Sequence, residues 1–208
     1  MSFLKSSTGF TRFRISEAVP PTLWPEITDL LRRNSFTDID ELPEERSAGW
    51  TAYGDILDTD FSSAPVEKGP YIVFSLRLDT RRVPPGVIKK HLALAVKKEE
   101  AQNREMGRKF ISRERRKELK EQVLHKLRMR FLPVPAEFEV VWNTAESVVF
   151  FASTRAQMAE LFEEMFVRTF NLHLTPLTPY ELAAALSGDA TLLESLEATE
   201  FNRAGGQA

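Results

Sequence analysis

Prolines bracket one tract of this chain and decide what it can become. Pro84-Pro85-Gly86 follows the run Tyr71–Leu78 (YIVFSLRL), and Pro133 and Pro135 stand at the other end. The β-branched and aromatic content of the first run predicts a strand. Beyond Pro85, whose missing N–H costs nothing in a first helical turn, the apolar spacing becomes helical. Val87, Ile88, Leu92, Ala95 and Val96 form one stripe, and Leu119, Val123, Leu124, Leu127 and Phe131 form another. Gly107 marks a turn between them, and Ser112 is placed to cap the second helix. Residues 85–131 are therefore predicted to be a helical hairpin inserted between strands.

The flanks read differently. Phe10–Ile15 alternates as a strand, and a helix is expected after Pro20-Pro21-Thr22, running to Asn34. Trp50–Tyr53 is a further short strand. After the hairpin, Glu137–Trp142 and Ser147–Ala152 predict two strands around Asn143-Thr144-Ala145-Glu146. Ser153 is expected to cap an amphipathic helix carrying Met158, Leu161, Phe162, Met165, Phe166 and Phe170. A short strand, Leu172–Leu177, and a short helix, Pro179–Leu186, follow, with a frayed end at Arg203–Ala208. The expected class is α+β: small mixed or antiparallel sheet-and-helix lobes with a protruding basic helical hairpin. The regions are 1–80, the hairpin at 81–132, and 133–208, the first and last being either separate or one continuous domain.

Composition narrows the function. With no cysteine among 208 residues, a disulfide framework and a thiolate metal site are excluded. MSFLKSSTGF lacks the apolar run of a secretory signal, and Val148–Ala152 is too short to cross a bilayer, so a cytoplasmic location is expected, nucleoid-associated if the chain binds DNA. The net charge of −2 hides a segregation. Arg77–Arg130 holds 18 Lys+Arg against 7 Asp+Glu, leaving 10 against 23 in the rest. Such a distribution aims a polyanion at one place and repels it elsewhere.

The candidate contact residues are Arg81, Arg82, Lys89, Lys90, Lys97, Lys98, Arg108, Lys109, Arg113, Arg116, Lys117 and Lys120. On the second helix, Arg113, Arg116, Lys117 and Lys120 recur at three- and four-residue spacing and share a face, read as roughly opposite Leu119, Val123 and Leu127. Cations in such a row meet a phosphate backbone and release its condensed counterions, which gives affinity without sequence preference. The competing account is a solvated hairpin that keeps the protein soluble. No zinc-finger spacing or recognition-helix arrangement accompanies the charge.

The run from Tyr71 to Leu127 resembles the recombination-associated protein RdgC family. The residues that carry the resemblance are Pro85-Gly86-Val87-Ile88-Lys89, opening the long basic helix, and Leu119-Lys120-Glu121-Gln122-Val123-Leu124. VVWNTAESVVFFAST and Leu174-Thr175-Pro176-Leu177 continue the match in order, and Gly49-Trp50 fits an N-terminal tract. The resemblance implies a DNA-binding protein acting in recombination and replication, binding duplex and single strands with little sequence preference. It also implies a homodimer shaped as a ring with a positively charged hole. Typical members continue past the point where this chain stops, so an open clamp joins the closed ring among the expected assemblies.

No catalytic motif is legible, and no cofactor, small-molecule substrate or membrane partner is expected. The acidic constellations are Asp55, Asp58 and Asp60, and Asp38, Asp40, Glu41, Glu44 and Glu45. They lack a full calcium-loop pattern and a histidine partner, and read as solvated loops. His91, His125 and His173 are scattered. The alternatives are a metal-dependent exonuclease, in keeping with an old label of the family, and a protein-interaction module that uses the hairpin. Phe150, Phe151, Phe162, Phe166 and Phe170 are expected in the core. Phe110, in the basic turn, is expected to contact a second subunit.

Overall fold

The structure, a computed structural model, describes Phe3, residues 9–106 and residues 110–188. Its strands are β1 (Thr11–Ile15), β2 (Arg46–Thr51), β3 (Glu67–Lys68), β4 (Tyr71–Thr80), β5 (Val134–Asn143), β6 (Val148–Phe151) and β7 (Leu174–Pro176). The helices are α1 (Ile27–Arg33), α2 (Pro85–Glu105), α3 (Arg113–Arg128), α4 (Ala156–Phe170) and α5 (Pro179–Ser187). All strands join one antiparallel sheet in the order β2-β4-β5-β6-β1-β7, with β3 on the end of β4. The class is α+β, as the sequence predicts.

β4 and β5 pair over their full length, from Tyr71 opposite Asn143 to Thr80 opposite Val134. The hairpin of α2 and α3 therefore leaves the sheet and returns to it at one end of its longest ladder. The chain before the hairpin and the chain after it contribute to the same sheet.

One face of the sheet carries the core. Ile72, Phe74, Leu76 and Leu78 alternate inward along β4. α4 lays Phe162, Met165, Phe166 and Phe170 over them, with the Phe162 ring stacked on Phe151 at 4.4 Å. Trp50 and Trp142 are fully buried, and the Trp50 indole donates to Thr169 Oγ1 at 2.7 Å. A buried indole N–H paired in this way avoids the desolvation penalty of an orphaned donor.

The opposite face buries polar groups beneath the 36–61 loops. Arg77 forms two 2.8 Å hydrogen bonds to Asp79 and donates to the Ile56 carbonyl at 3.1 Å, and its guanidinium lies 3.9 Å from the centre of the Phe36 ring. A fork matched to a carboxylate and laid on an aromatic ring is a role arginine fills and lysine cannot.

Several local expectations shift. The helix predicted after Thr22 opens as a 3-10 segment, Pro21–Glu26, because Pro25 has no N–H for an α-helical ladder. β2 begins at Arg46, earlier than the predicted Trp50, and β3 carries no legible pattern in its two residues. The N-cap of α4 is Arg155; Ser153 lies buried and its Oγ accepts from the Arg155 N–H at 3.2 Å. Phe150 points away from the core, edge-on to Phe10 at 5.8 Å. Gly107 and Arg203–Ala208 lie outside the described residues.

Candidate nucleic-acid interface

α2 starts on Pro85, with Pro84 as an extended N-cap, so ring geometry rather than a side-chain cap sets its first turn. Its 21 residues make a rod about 31 Å long. No residue of α2 is fully buried; the stripe of Val87, Ile88, Leu92, Ala95 and Val96 is half-buried. α3 starts on Ser112, whose Oγ accepts from the Arg115 N–H at 3.1 Å. Lys126 and Arg128 occupy its last turn, where cations meet the negative end of the helix dipole. α3 buries Leu119, Val123 and Leu127. The two helices pack chiefly on each other, which leaves the hairpin as an arm on the sheet.

Arg115 locks that arm. Its guanidinium holds Glu99 of α2 at 2.7 and 3.1 Å and Glu118 of its own helix at 2.8 Å. The hydrogen bonds from Arg115 hold the Glu99 carboxyl below its ordinary value, and the two carboxylates raise the guanidinium in turn. At the root of the arm, Arg128 pairs with Glu45.

The remaining cations of the arm are unspent. Lys89, Lys90, Lys97, Lys98, Arg113, Arg116, Lys117 and Lys120 are exposed, and none forms an ion pair among the described residues. Arg82 is exposed at the root. Arg108 and Lys109 lie outside the described residues.

At 100° per residue the cationic face of α3 is centred about 70° from the buried stripe, so it flanks the helix seam rather than opposing it. Arg116 accordingly lines a cleft with Glu100, Asn103 and Arg104 of α2. The diametrically opposed row belongs to α2. Lys90 and Lys97 recur at seven residues, and Arg104, exposed and not singled out by the sequence reading, continues them. The row spans about 21 Å, the axial length of about six phosphates along one strand. The seven-residue spacing was the signal that could have found Arg104.

Arg81 leaves the candidate set. It is 2% exposed, and its guanidinium donates to the carbonyls of Ile39, Asp40, Leu42 and Glu44. It fastens the acidic 39–44 loop to the end of β4 and has no face left for a phosphate.

Three carboxylates of the acidic clusters, Asp38, Asp55 and Asp58, accept from nearby backbone N–H groups. Burial pushes the Asp58 carboxyl up, but hydrogen bonds from the N–H groups of Ser63, Ser62 and Asp60 outweigh it and hold it at about 2. Asp55 accepts from the Leu57 N–H at 3.0 Å, and Asp38 from the Asp40 N–H at 2.7 Å. Among the described residues no group of three or more His, Asp or Glu is placed to hold a metal ion. His91 and His125 stand apart on the two arm helices, and His173 Nδ1 meets Glu17 at 2.5 Å.

Phe110, just before α3, is 88% exposed, and Met106, at the end of α2, is 71% exposed. No described helix is long and apolar enough to cross a membrane. No curated protein matches the chain at a significant level. A family-level comparison matches residues 9–201 to the family described as "Putative exonuclease, RdgC". That match spans the sheet, the arm and α4 together, and the chain therefore belongs to the RdgC family.

Proposed function

We propose that this chain binds duplex and single-stranded DNA through backbone phosphates, with no sequence preference, and thereby modulates recombination or replication. One observation carries the reading: eight lysines and arginines of the arm are exposed and form no ion pair among the described residues, while Glu99 and Glu118 of the same arm are held by Arg115. An arm presenting free cations along its length gains affinity from counterion release and reads no bases. Asp38, Asp55 and Asp58 are engaged with loop backbone N–H groups, which supports binding without chemistry on the strand.

Self-association belongs to the same reading. A phenylalanine as exposed as Phe110 suits a contact between the tips of two arms, and Met106 is exposed as well.

Fluorescence anisotropy with a duplex and a single strand of unrelated sequences tests the reading. Binding is expected to weaken by ~10³–10⁵ as salt rises from 50 to 200 mM, as six to ten phosphate contacts require. Changing Arg113, Arg116, Lys117 and Lys120 together to glutamate is expected to abolish it. A flat salt response, or full affinity in that variant, overturns the phosphate-contact reading. Magnesium-dependent degradation of the strand, lost in Asp55→Ala or Asp58→Ala, would replace it with an exonuclease.

A further inference from the structure

β4 and β5 outrun the helix that covers them. Their ten-residue ladder is about 33 Å long, whereas α4 has 15 residues and is about 22 Å long. Past the first turn of α4 the core face of the sheet therefore stays open, and it forms a cavity of 390 Å³ floored by Leu78, Ala136 and Phe138 and walled by Met158. Ligand pockets start at about 300 Å³. Three arginines from distant parts of the chain stand around it: Arg46 opening β2, Arg82 following β4, and Arg155 capping α4.

All three are exposed, and none of their guanidinium groups has an ion pair or hydrogen-bond partner among the described residues. Among the described residues no carboxylate lines the cavity. An apolar floor under three unpaired guanidiniums selects a ligand with one flat apolar part and more than one negative charge. A single carboxylate is satisfied by one arginine fork. A base flanked by phosphates meets both demands, because it buries its ring while its phosphates engage the forks. Arg82 also lines the adjoining cleft at the root of the arm, with Pro85, Ile88 and Leu124, so cavity and arm are continuous.

We propose that this cavity binds one unstacked nucleotide of a DNA strand, the base on Leu78 and Phe138 and the flanking phosphates on Arg46, Arg82 and Arg155. The choice of a nucleotide rests on the DNA-binding reading; the cationic rim and apolar floor of the site do not.

Calorimetric titration of the full chain with a 5′-phosphorylated thymidine tetranucleotide, and with an abasic tetranucleotide of equal charge, tests the proposal. The base-bearing probe is expected to bind at least about tenfold tighter, and Arg46→Ala and Arg155→Ala each to weaken it by about tenfold or more, as loss of a charge-assisted hydrogen bond requires. Ala136→Leu, which fills the cavity, is expected to erase the preference for the base-bearing probe. Both arginines are exposed, so their variants keep the fold and the test stands even if Ala136→Leu does not fold. Equal affinity for the two probes, or no loss in either arginine variant, overturns the proposal, as does tighter binding of decanoate than of the tetranucleotide. The arm's quadruple glutamate variant separates the two readings. Loss of duplex binding with the tetranucleotide retained supports the cavity as a site of its own. A wild-type chain that binds duplex but does not distinguish the probes removes the cavity and leaves the arm.

Discussion

Arg115 Nε of α3 lies 2.7 Å from Glu99 Oε1 of α2, and a second bond of 3.1 Å runs between the same two side chains. It is a bidentate pair placed where the helices of the arm would otherwise be held by three buried aliphatic residues, Leu119, Val123 and Leu127. Removing it separates the function of the arm from the stability of the sheet. Glu99→Gln is expected to accelerate amide exchange along the outer half of α2 and to leave the protection of β4 and β5 unchanged, because the arm packs chiefly on itself. DNA affinity is expected to fall although no DNA-facing cation has been touched. Hydrogen exchange read by mass spectrometry, beside the anisotropy titration, measures both.

The same pair gives the arm a pH dependence. The Glu99 carboxyl is held below its ordinary value by the hydrogen bonds from Arg115. The stabilisation is therefore complete above the ordinary glutamate range and is lost as pH falls through the lowered value. Acid titration is expected to loosen the arm at a pH below 4.5 in the wild type, and the Glu99→Gln arm, already loosened, is expected to show no such step. Helix content followed by circular dichroism between pH 2 and 6 distinguishes the two.

Arg81 and Lys90 carry the same charge in opposite circumstances. Arg81→Met strips the donors from the carbonyls of Ile39, Asp40 and Glu44 and is expected to cost about 3 kcal/mol of stability. The salt dependence of DNA binding is expected to stay unchanged in the folded protein. Lys90→Met, at an exposed position, is expected to leave the denaturant midpoint alone and to reduce the slope of log affinity against log salt by about one. A reduced slope in Arg81→Met would return that residue to the contact set.

What the sequence made legible follows the range of the interaction. Ser112 was readable as a cap because its hydrogen bond reaches three residues along the chain. The Phe162–Phe166–Phe170 stripe was readable because burial imposes the helical period. Arg81 was misjudged because its partners lie about forty residues away and are carbonyls, which leave no trace in a pattern of side chains. The orientation of α3 was misjudged for a different reason. Spacing shows that Arg113, Arg116, Lys117 and Lys120 cluster, but the angle to the seam emerges only when each residue is placed on the helix. Arg46 opens β2, Arg82 follows β4 and Arg155 follows β6, and they meet only through the register of β2, β4, β5 and β6.

Gly49 marks a close approach that no substitution can share. A Cβ built there would lie 2.3 Å from the Phe36 Cα and 2.4 Å from the Phe36 N, both backbone atoms. Phe36 crosses here because its N–H donates to the Trp50 carbonyl at 3.0 Å, and its ring supports the Arg77 guanidinium on the polar face of the sheet. Gly49→Ala must therefore displace the 36–45 loop or unzip the start of β2. A loss of about 1–3 kcal/mol or more is expected from denaturant unfolding. The Gly54→Ala comparison meets no neighbouring atom but carries a φ of +75°, and is expected to cost about 1 kcal/mol through backbone strain alone.

Asp58 separates a loop acid from a catalytic one. Its carboxylate accepts from Asp60, Ser62 and Ser63 and is held at about 2. Because the folded value lies below the ordinary 3.8, the stabilisation is present above that value and disappears as pH falls through 2. Asp58→Asn keeps one acceptor oxygen and the shape but loses the charge. It is expected to lower the denaturant midpoint at pH 7 and to match the wild type near pH 2, while binding duplex DNA as tightly as the wild type at every salt concentration. A metal-ligating carboxylate would behave otherwise: its amide variant would keep the midpoint in the absence of magnesium and lose the magnesium-dependent part of its strand degradation.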